Sequence, residues 1–196
     1  MTTRRHTLFA SDLHLDSEAP WAIDAFLKFL DGEARGAEAL YLLGDLFEVW
    51  VGDDDDDPDH ARACAGLARL TASGVVVYAL HGNRDFLLGA PFEQRTGVKL
   101  LPDPVLVELY GVPTLLSHGD AFCTEDTSYQ ELRSIVRTPA WQRRFLSLSL
   151  DSRRPALNPL GVEEQSATLS TAIHRIHPRF PRTDEFLLSG SRSRLS

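Results

Sequence analysis

The sequence predicts an α/β fold built on a parallel sheet, on three observations. Short apolar runs at Thr7 to Ala10, Ala39 to Leu43, Val75 to Leu80 and Thr114 to Leu116 are each stopped by glycine or polar residues, as buried strands are. Candidate helices at Pro20 to Arg35, Pro58 to Ser73 and Phe86 to Thr96 lie between the runs. Such alternation is the pattern of parallel strands joined by crossovers. Finally, each run leads into residues able to ligate a metal: Ser11-Asp12-Leu13-His14, Gly44-Asp45, Gly82-Asn83-Arg84-Asp85 and Ser117-His118-Gly119-Asp120. Ligands of open α/β sheets collect beyond the carboxyl ends of the strands. Asp12, His14, Asp45, Asn83 and His118 are therefore expected to converge in one cleft.

Taken in order, each cluster has a plain structural alternative. Asp12 and His14 are two apart, which on an extended segment places both on one side, yet a histidine alone can be a hydrogen-bonded structural residue. An aspartate after a strand, such as Asp45, is more often a helix cap or turn former. Asn83 with Gly82 can make a turn, and His118 can be a satisfied, partly buried histidine. Recurrence of all five, in order and after strands, is what favours ligation. Between Asp45 and the second helix lie five successive acids, Asp53 to Asp57. They read as a solvated loop that also favours the start of the next helix, with Asp53 or Asp54 at most supporting a metal site from outside.

With 196 residues the chain has room for one sizeable domain and a small appendage. Its two cysteines, Cys64 and Cys123, have no metal-like spacing and form no disulfide framework, so a reducing cytosol is the expectation. Arg4-Arg5 is not followed by a long apolar stretch, and no segment approaches membrane-span length; a soluble or peripheral protein is expected. The net charge of -8 is uneven: residues 1–130 carry 9 lysines and arginines against 22 acids, residues 131–196 carry 11 against 6. The acidic part argues against nucleic acid as a partner, which needs a basic surface. The basic part suits an anionic lipid surface. Oligomeric state is not legible.

Carboxylate, amide oxygen and imidazole together suit Mn, Fe or Zn rather than a thiolate-rich structural zinc site. Two cations bridged by one carboxylate are the standard equipment of hydrolytic phosphoryl chemistry, and Asp45 is the candidate bridge.

The clusters resemble the first four blocks of the calcineurin-like metallophosphoesterases. The longer strings Ser11-Asp12-Leu13-His14-Leu15, Leu43-Gly44-Asp45-Leu46-Phe47-Glu48-Val49-Trp50, His81-Gly82-Asn83-Arg84-Asp85-Phe86-Leu87-Leu88-Gly89 and His118-Gly119-Asp120-Ala121-Phe122-Cys123-Thr124-Glu125-Asp126 narrow this to the UDP-2,3-diacylglucosamine diphosphatases of lipid A synthesis. The resemblance runs from about Thr7 to about Leu150. It implies a sandwich of two sheets flanked by helices and hydrolysis of a UDP-sugar lipid, UDP-2,3-diacylglucosamine, to UMP and 2,3-diacylglucosamine 1-phosphate. It further implies Mn2+ as cofactor and a peripheral place on the cytoplasmic face of the inner membrane. By motif match Asp12 and His14 would hold the first metal, Asp45 would bridge, and Asn83 and His118 would hold the second. Arg84 would steady the phosphates, with a salt bridge to Asp85 as its alternative, and Asp126 and Tyr129 would contact substrate, Tyr129 serving equally well as a core aromatic.

Thr138 to Pro155 sets Trp141, Phe145, Leu146, Leu148 and Leu150 among Arg143, Arg144, Arg153 and Arg154. This fits an amphipathic element at a lipid interface, or a helix packed on the core. The expected organisation is a metallophosphoesterase domain over residues 1–154, with a helical cap beginning at about 129–154, and a divergent, disordered tail over 155–196. The family normally adds a later Gly-His-x-His block. This chain has none, and His174 and His177, three apart before Pro178, do not match it. Truncation or a shifted reading frame is the expectation for this tail, with an incomplete C-terminal sheet. Two alternatives to the diphosphatase stay open: a metallophosphoesterase for another nucleotide or phosphodiester, and an inactive remnant lacking the late histidine ligands.

Overall fold

Four parallel strands, β1 (Thr7–Ala10), β2 (Ala39–Leu42), β3 (Val76–Ala79) and β4 (Lys99–Leu100), lie side by side in chain order in the computed structural model, which describes residues 6–157. The tail from 158 onward, with His174 and His177, lies outside these residues. The crossovers carry α1 (Pro20–Asp31), α2 (Pro58–Ala72) and α3 (Ala90–Thr96). Each strand is added on the same side of the last, so right-handed crossovers put all three helices on one face. Thr7 to Ala10 pair with Ala39 to Leu42, which pair with Val76 to Ala79. The strand ends are thus level, and the segments after Ala10, Leu42 and Ala79 emerge at one edge.

Alternation along β2 divides the interior. Leu40 and Leu42 join Ile23, Phe26 and Leu30 of α1 and Ala63, Leu67 and Leu70 of α2 in the main core, while Tyr41 and Leu43 face the other side with Leu80 and Leu116. At ~1.5–3 kcal/mol for each fully buried large apolar side chain, this burial rather than propensity holds the short helices in place.

The other face is covered by an antiparallel hairpin, β5 (Val105–Leu109) and β6 (Val112–Leu116). Val105, Val107 and Leu109 pack on the side where Phe9, Tyr41 and Tyr78 stack at 5.4 and 4.7 Å. The result is α/β, two sheets with helices outside, the second sheet having two strands among the described residues. Thr114 to Leu116 is therefore antiparallel to a strand the sequence reading passed over, not a member of the parallel set. Tyr110 and Gly111, both at positive φ (53° and 82°), make the tight reversal between the two strands.

Two helices differ from expectation. The first ends at Asp31, because Gly32 interrupts it and Glu33–Gly36 forms a 3-10 turn. The third begins at Ala90 rather than Phe86, since the Pro91 ring cannot follow an earlier helical turn and Phe86, Leu87 and Leu88 are buried in an irregular turn.

Beyond the hairpin come α4 (Thr127–Val136), α5 (Pro139–Leu146) and α6 (Leu150–Leu157). The single amphipathic element expected over Thr138 to Pro155 is thus two helices. Its apolar side is shared: Trp141 stacks on Phe145 at 4.7 Å and reaches Phe86, whereas Leu146 and Leu148 are exposed beside Arg143 and Arg144. Arg153 and Arg154 do not flank a free apolar face. Arg153 is buried, donates to the Val51 carbonyl at 2.8 Å and pairs with Asp54, and Arg154 pairs with Asp56 and Asp55.

The acidic run is a loop with Asp54 and Asp56 exposed, as expected, but its other members are tied into the fold. Asp53 accepts the Trp50 indole N–H at 3.1 Å and the backbone N–H groups of Gly89 and Phe92 at 3.2 Å, holding the start of α3. Asp55 bonds His60 Nδ1 at 2.6 Å, and Asp57 caps α2 as expected, accepting from Asp59 and His60. Five like charges tolerate one another because different elements meet them: Arg153, Arg154 and His60 pair with Asp54 to Asp56, and N–H donors hold Asp53 and Asp57.

Candidate metal centre

The ladder between β1 and β2 does not stop where the strands do. Leu43 N–H donates to the Ala10 carbonyl (2.8 Å), Asp12 to Gly44 (3.1 Å), His14 to Asp45 (3.1 Å), Leu15 to Leu46 (3.0 Å) and Glu48 back to Leu15 (3.1 Å). Two ligand-bearing loops are thereby zipped together. Within them Asp12, His14 and Asp45 all take the left-handed conformation, φ 54°, 46° and 51°, which residues with a side chain rarely adopt and which clusters at functional sites. Gly82 and Gly44 make the room. A Cβ on Gly82 would lie 2.0 Å from Asp45 Oδ1, and one on Gly44 2.5 Å from His118 Nδ1.

One ligand atom each from Asp12, Asp45 and His118 lie within 4.8 Å of one another. Asp45 Oδ2 stands between two imidazoles, 3.9 Å from His14 Nε2 and 3.7 Å from His118 Nε2, while its Oδ1 accepts the Arg84 backbone N–H at 2.9 Å. His118 bonds the Leu43 carbonyl through Nδ1 at 3.0 Å, which places the ring proton there. Its Nε2 lone pair then faces another acceptor, Asn83 Oδ1, at 3.0 Å. A cation between the two acceptors, or an Asn83 amide turned to donate its NH2, satisfies both. His14 is oriented likewise: Nδ1 is 2.6 Å from Glu48 Oε2, leaving Nε2 toward Asp45. The five sequence-predicted ligands are brought together.

Electrostatics point the same way. Burial raises the Asp45 carboxyl to about 6, with Asp85 adding to the rise and His118, the Arg84 N–H and His14 opposing it. The hydrogen bond to Glu48 raises His14 and lowers Glu48 from their ordinary values. A buried carboxylate short of positive charge, ringed by imidazole lone pairs and an amide oxygen, fits a divalent cation of the Mn, Fe or Zn type.

Sequence analysis passed over Asp103 and did not assign Glu48, Asp85 and Asp120 the supporting roles they have. Arg84 does not pair with Asp85: it donates to Glu48 Oε1 at 2.8 Å, while Asp85, fully buried, accepts the N–H groups of Leu46 and Gly82, each at 2.8 Å. Asp103 accepts from Ser117 Oγ (2.7 Å) and the His118 N–H (3.1 Å). Asp120, buried, accepts from Tyr129 Oη at 2.5 Å, Arg133 Nε at 2.8 Å and Arg137 at 3.2 Å, and Arg137 also donates to the Gly82 carbonyl at 2.8 Å. This network fastens α4 to the Asn83 loop. Asp126 caps α4 by accepting the Tyr129 N–H at 2.9 Å, so both sit where α4 begins. An available signal was an acid two or three residues after a ligand: Glu48 after Asp45, Asp85 after Asn83, Asp120 after His118.

No family model matches the chain. Among curated proteins, one from Stenotrophomonas maltophilia (strain K279a) is 52% identical over 147 residues, covering 75% of this chain and 59% of that protein. One from Enterobacter sp. (strain 638) is 47% identical over 175 residues, covering 88% and 73%. A third, from Escherichia coli O81 (strain ED1a), is 46% identical over 167 residues, covering 85% and 70%. All three are named UDP-2,3-diacylglucosamine hydrolase. The chain belongs to the UDP-2,3-diacylglucosamine hydrolase family. The parallel sheet with flanking helices agrees with the metallophosphoesterase architecture that the resemblance implies. The chain spans about three fifths of the length of the Stenotrophomonas family members. Among the described residues no helix is long and apolar enough to cross a membrane.

Proposed function

We propose that the chain hydrolyses the pyrophosphate bond of UDP-2,3-diacylglucosamine, giving UMP and 2,3-diacylglucosamine 1-phosphate, with two Mn2+ ions as cofactor. The convergence of Asp12, Asp45 and His118 within 4.8 Å, in a chain of this family, carries the reading. Asp12 and His14 would hold one cation and Asn83 and His118 the other, with Asp45 between them. When bound, the cations supply activation of water and neutralisation of charge developing on the phosphoryl group. Arg84 offers the diphosphate a planar, permanently charged donor fork, and Asp126 and Tyr129 are assigned to substrate contact. Asn83 presents its amide beside His118 and orients the phosphate there.

The catalytic domain extends through α6 to Leu157, which is buried in the main core, rather than stopping at 154, and the helices from about 129 begin its cap. Exposed Leu146 and Leu148 beside Arg143 and Arg144 suit contact with acyl chains and an anionic surface, consistent with a peripheral place on the cytoplasmic face of the inner membrane. The test is UMP release from UDP-2,3-diacylglucosamine by the purified protein with added Mn2+, metal content being determined on the same sample. Metal-dependent turnover that Asp45→Ala abolishes is the expected result; no turnover at full metal loading would overturn the reading.

A further inference from the structure

We propose that Glu48 is a positioning residue that joins the metal centre to the phosphate-binding arginine through the two oxygens of one carboxylate. Oε2 lies 2.6 Å from His14 Nδ1 and Oε1 lies 2.8 Å from Arg84 NH1. The first bond keeps the ring proton on Nδ1, so that Nε2 faces Asp45 Oδ2 at 3.9 Å with its lone pair available. The second bond occupies one amino group of Arg84 and, among the described residues, leaves the rest of the fork unpaired for a bidentate acceptor.

Glu48 is itself held in place. Its backbone N–H donates to the Leu15 carbonyl at 3.1 Å, next to the parallel bridge between Leu15 and Phe47, so the carboxylate is fixed relative to the loop carrying His14. The Arg84 end is fixed by the Asp45 bond to its backbone N–H. A carboxylate facing an anionic substrate would ordinarily repel it; here Arg84 neutralises that charge, and the pair orients without opposing the diphosphate. Glutamine at this position keeps the length but offers one acceptor and one donor, so it serves one partner and confronts the other with an N–H.

The inference rests on the proposed roles of His14 and Arg84, and the experiment separates the two. Mn2+ alone is titrated into the full chain, free ion being read by electron paramagnetic resonance, for wild type, Glu48→Gln, Glu48→Ala, Arg84→Ala and Asp45→Ala. Pyrophosphate affinity is then measured at saturating Mn2+. Both Glu48 variants are expected to bind Mn2+ at least about 10-fold more weakly, with metal-free melting temperatures unchanged. Arg84→Ala is expected to keep Mn2+ affinity, and Arg84→Ala and both Glu48 variants are expected to weaken pyrophosphate. Mn2+ affinity within twofold of wild type in both Glu48 variants, while Asp45→Ala loses the ion, would overturn the positioning role alone. Undiminished Mn2+ binding by Asp45→Ala would overturn the metal reading beneath it.

Discussion

Asp45 shows what the site asks of one residue. Its carboxyl, raised by burial from an ordinary 3.8 to about 6, holds its proton more tightly folded than unfolded. In the metal-free protein that contribution is full below about pH 3.8 and is lost as pH rises through about 6. Asp45→Asn retains an acceptor for the Arg84 N–H and carries no charge. We expect it to stabilise the metal-free protein by about 2–3 kcal/mol at pH 7 and by almost nothing at pH 4, read from urea unfolding in chelator. A pH-independent effect would point to packing instead. Gly82 is the converse case, for a methyl group there collides with the Asp45 carboxylate and backbone. Gly82→Ala should destabilise by at least about 2 kcal/mol in the same assay and displace the Asp45 carboxylate. The five candidate ligands were legible as one cluster because their residue types recur after strands. The partners of Glu48, Asp85, Asp103 and Asp120 were not, because they lie 3 to 39 residues away in sequence and only the fold brings most of them near.

Elements were legible where pattern and length agreed. α2 follows its apolar spacing and its aspartate cap, whereas β4, two residues long, and the β5–β6 hairpin gave too little signal against the expectation of parallel strands. The start of α3 was misread because Phe86-Leu87-Leu88 is apolar enough to continue a helix, yet is buried as a turn beside Asp85. α6 depends on tertiary ties more than on its own weak amphipathicity, with Pro155 inside it. Removing the buried guanidinium of Arg153 deprives Val51 and Asp54 of their partner. Arg153→Ala should cost about 2 kcal/mol and expose the Ser147 to Ser149 junction to limited proteolysis. Unchanged cleavage would show that α6 is held by Leu157 and its apolar neighbours alone.

For the whole molecule, candidate ligands drawn from four segments of the chain would link metal binding to folding. Free Mn2+ at 100 times its dissociation constant should stabilise by about 2.7 kcal/mol, a rise in melting temperature of about 5–10 °C for a domain of this size. Chelator should reverse it and Asp45→Ala abolish it; equal melting curves with and without Mn2+ would mean that no ion is held. The uneven charge was legible in composition, but its resolution was not, since Asp54 to Asp56 find Arg153 and Arg154 about a hundred residues later. The same run bears on insertions and deletions. Its five members are chemically identical, so what it encodes is a spacing, the interval between the anchor of α3 at Asp53 and the cap of α2 at Asp57. One further aspartate introduced there changes no residue type and breaks no motif. It would nonetheless leave one carboxylate without its cation and force either α2 or α6 out of step with the sheet.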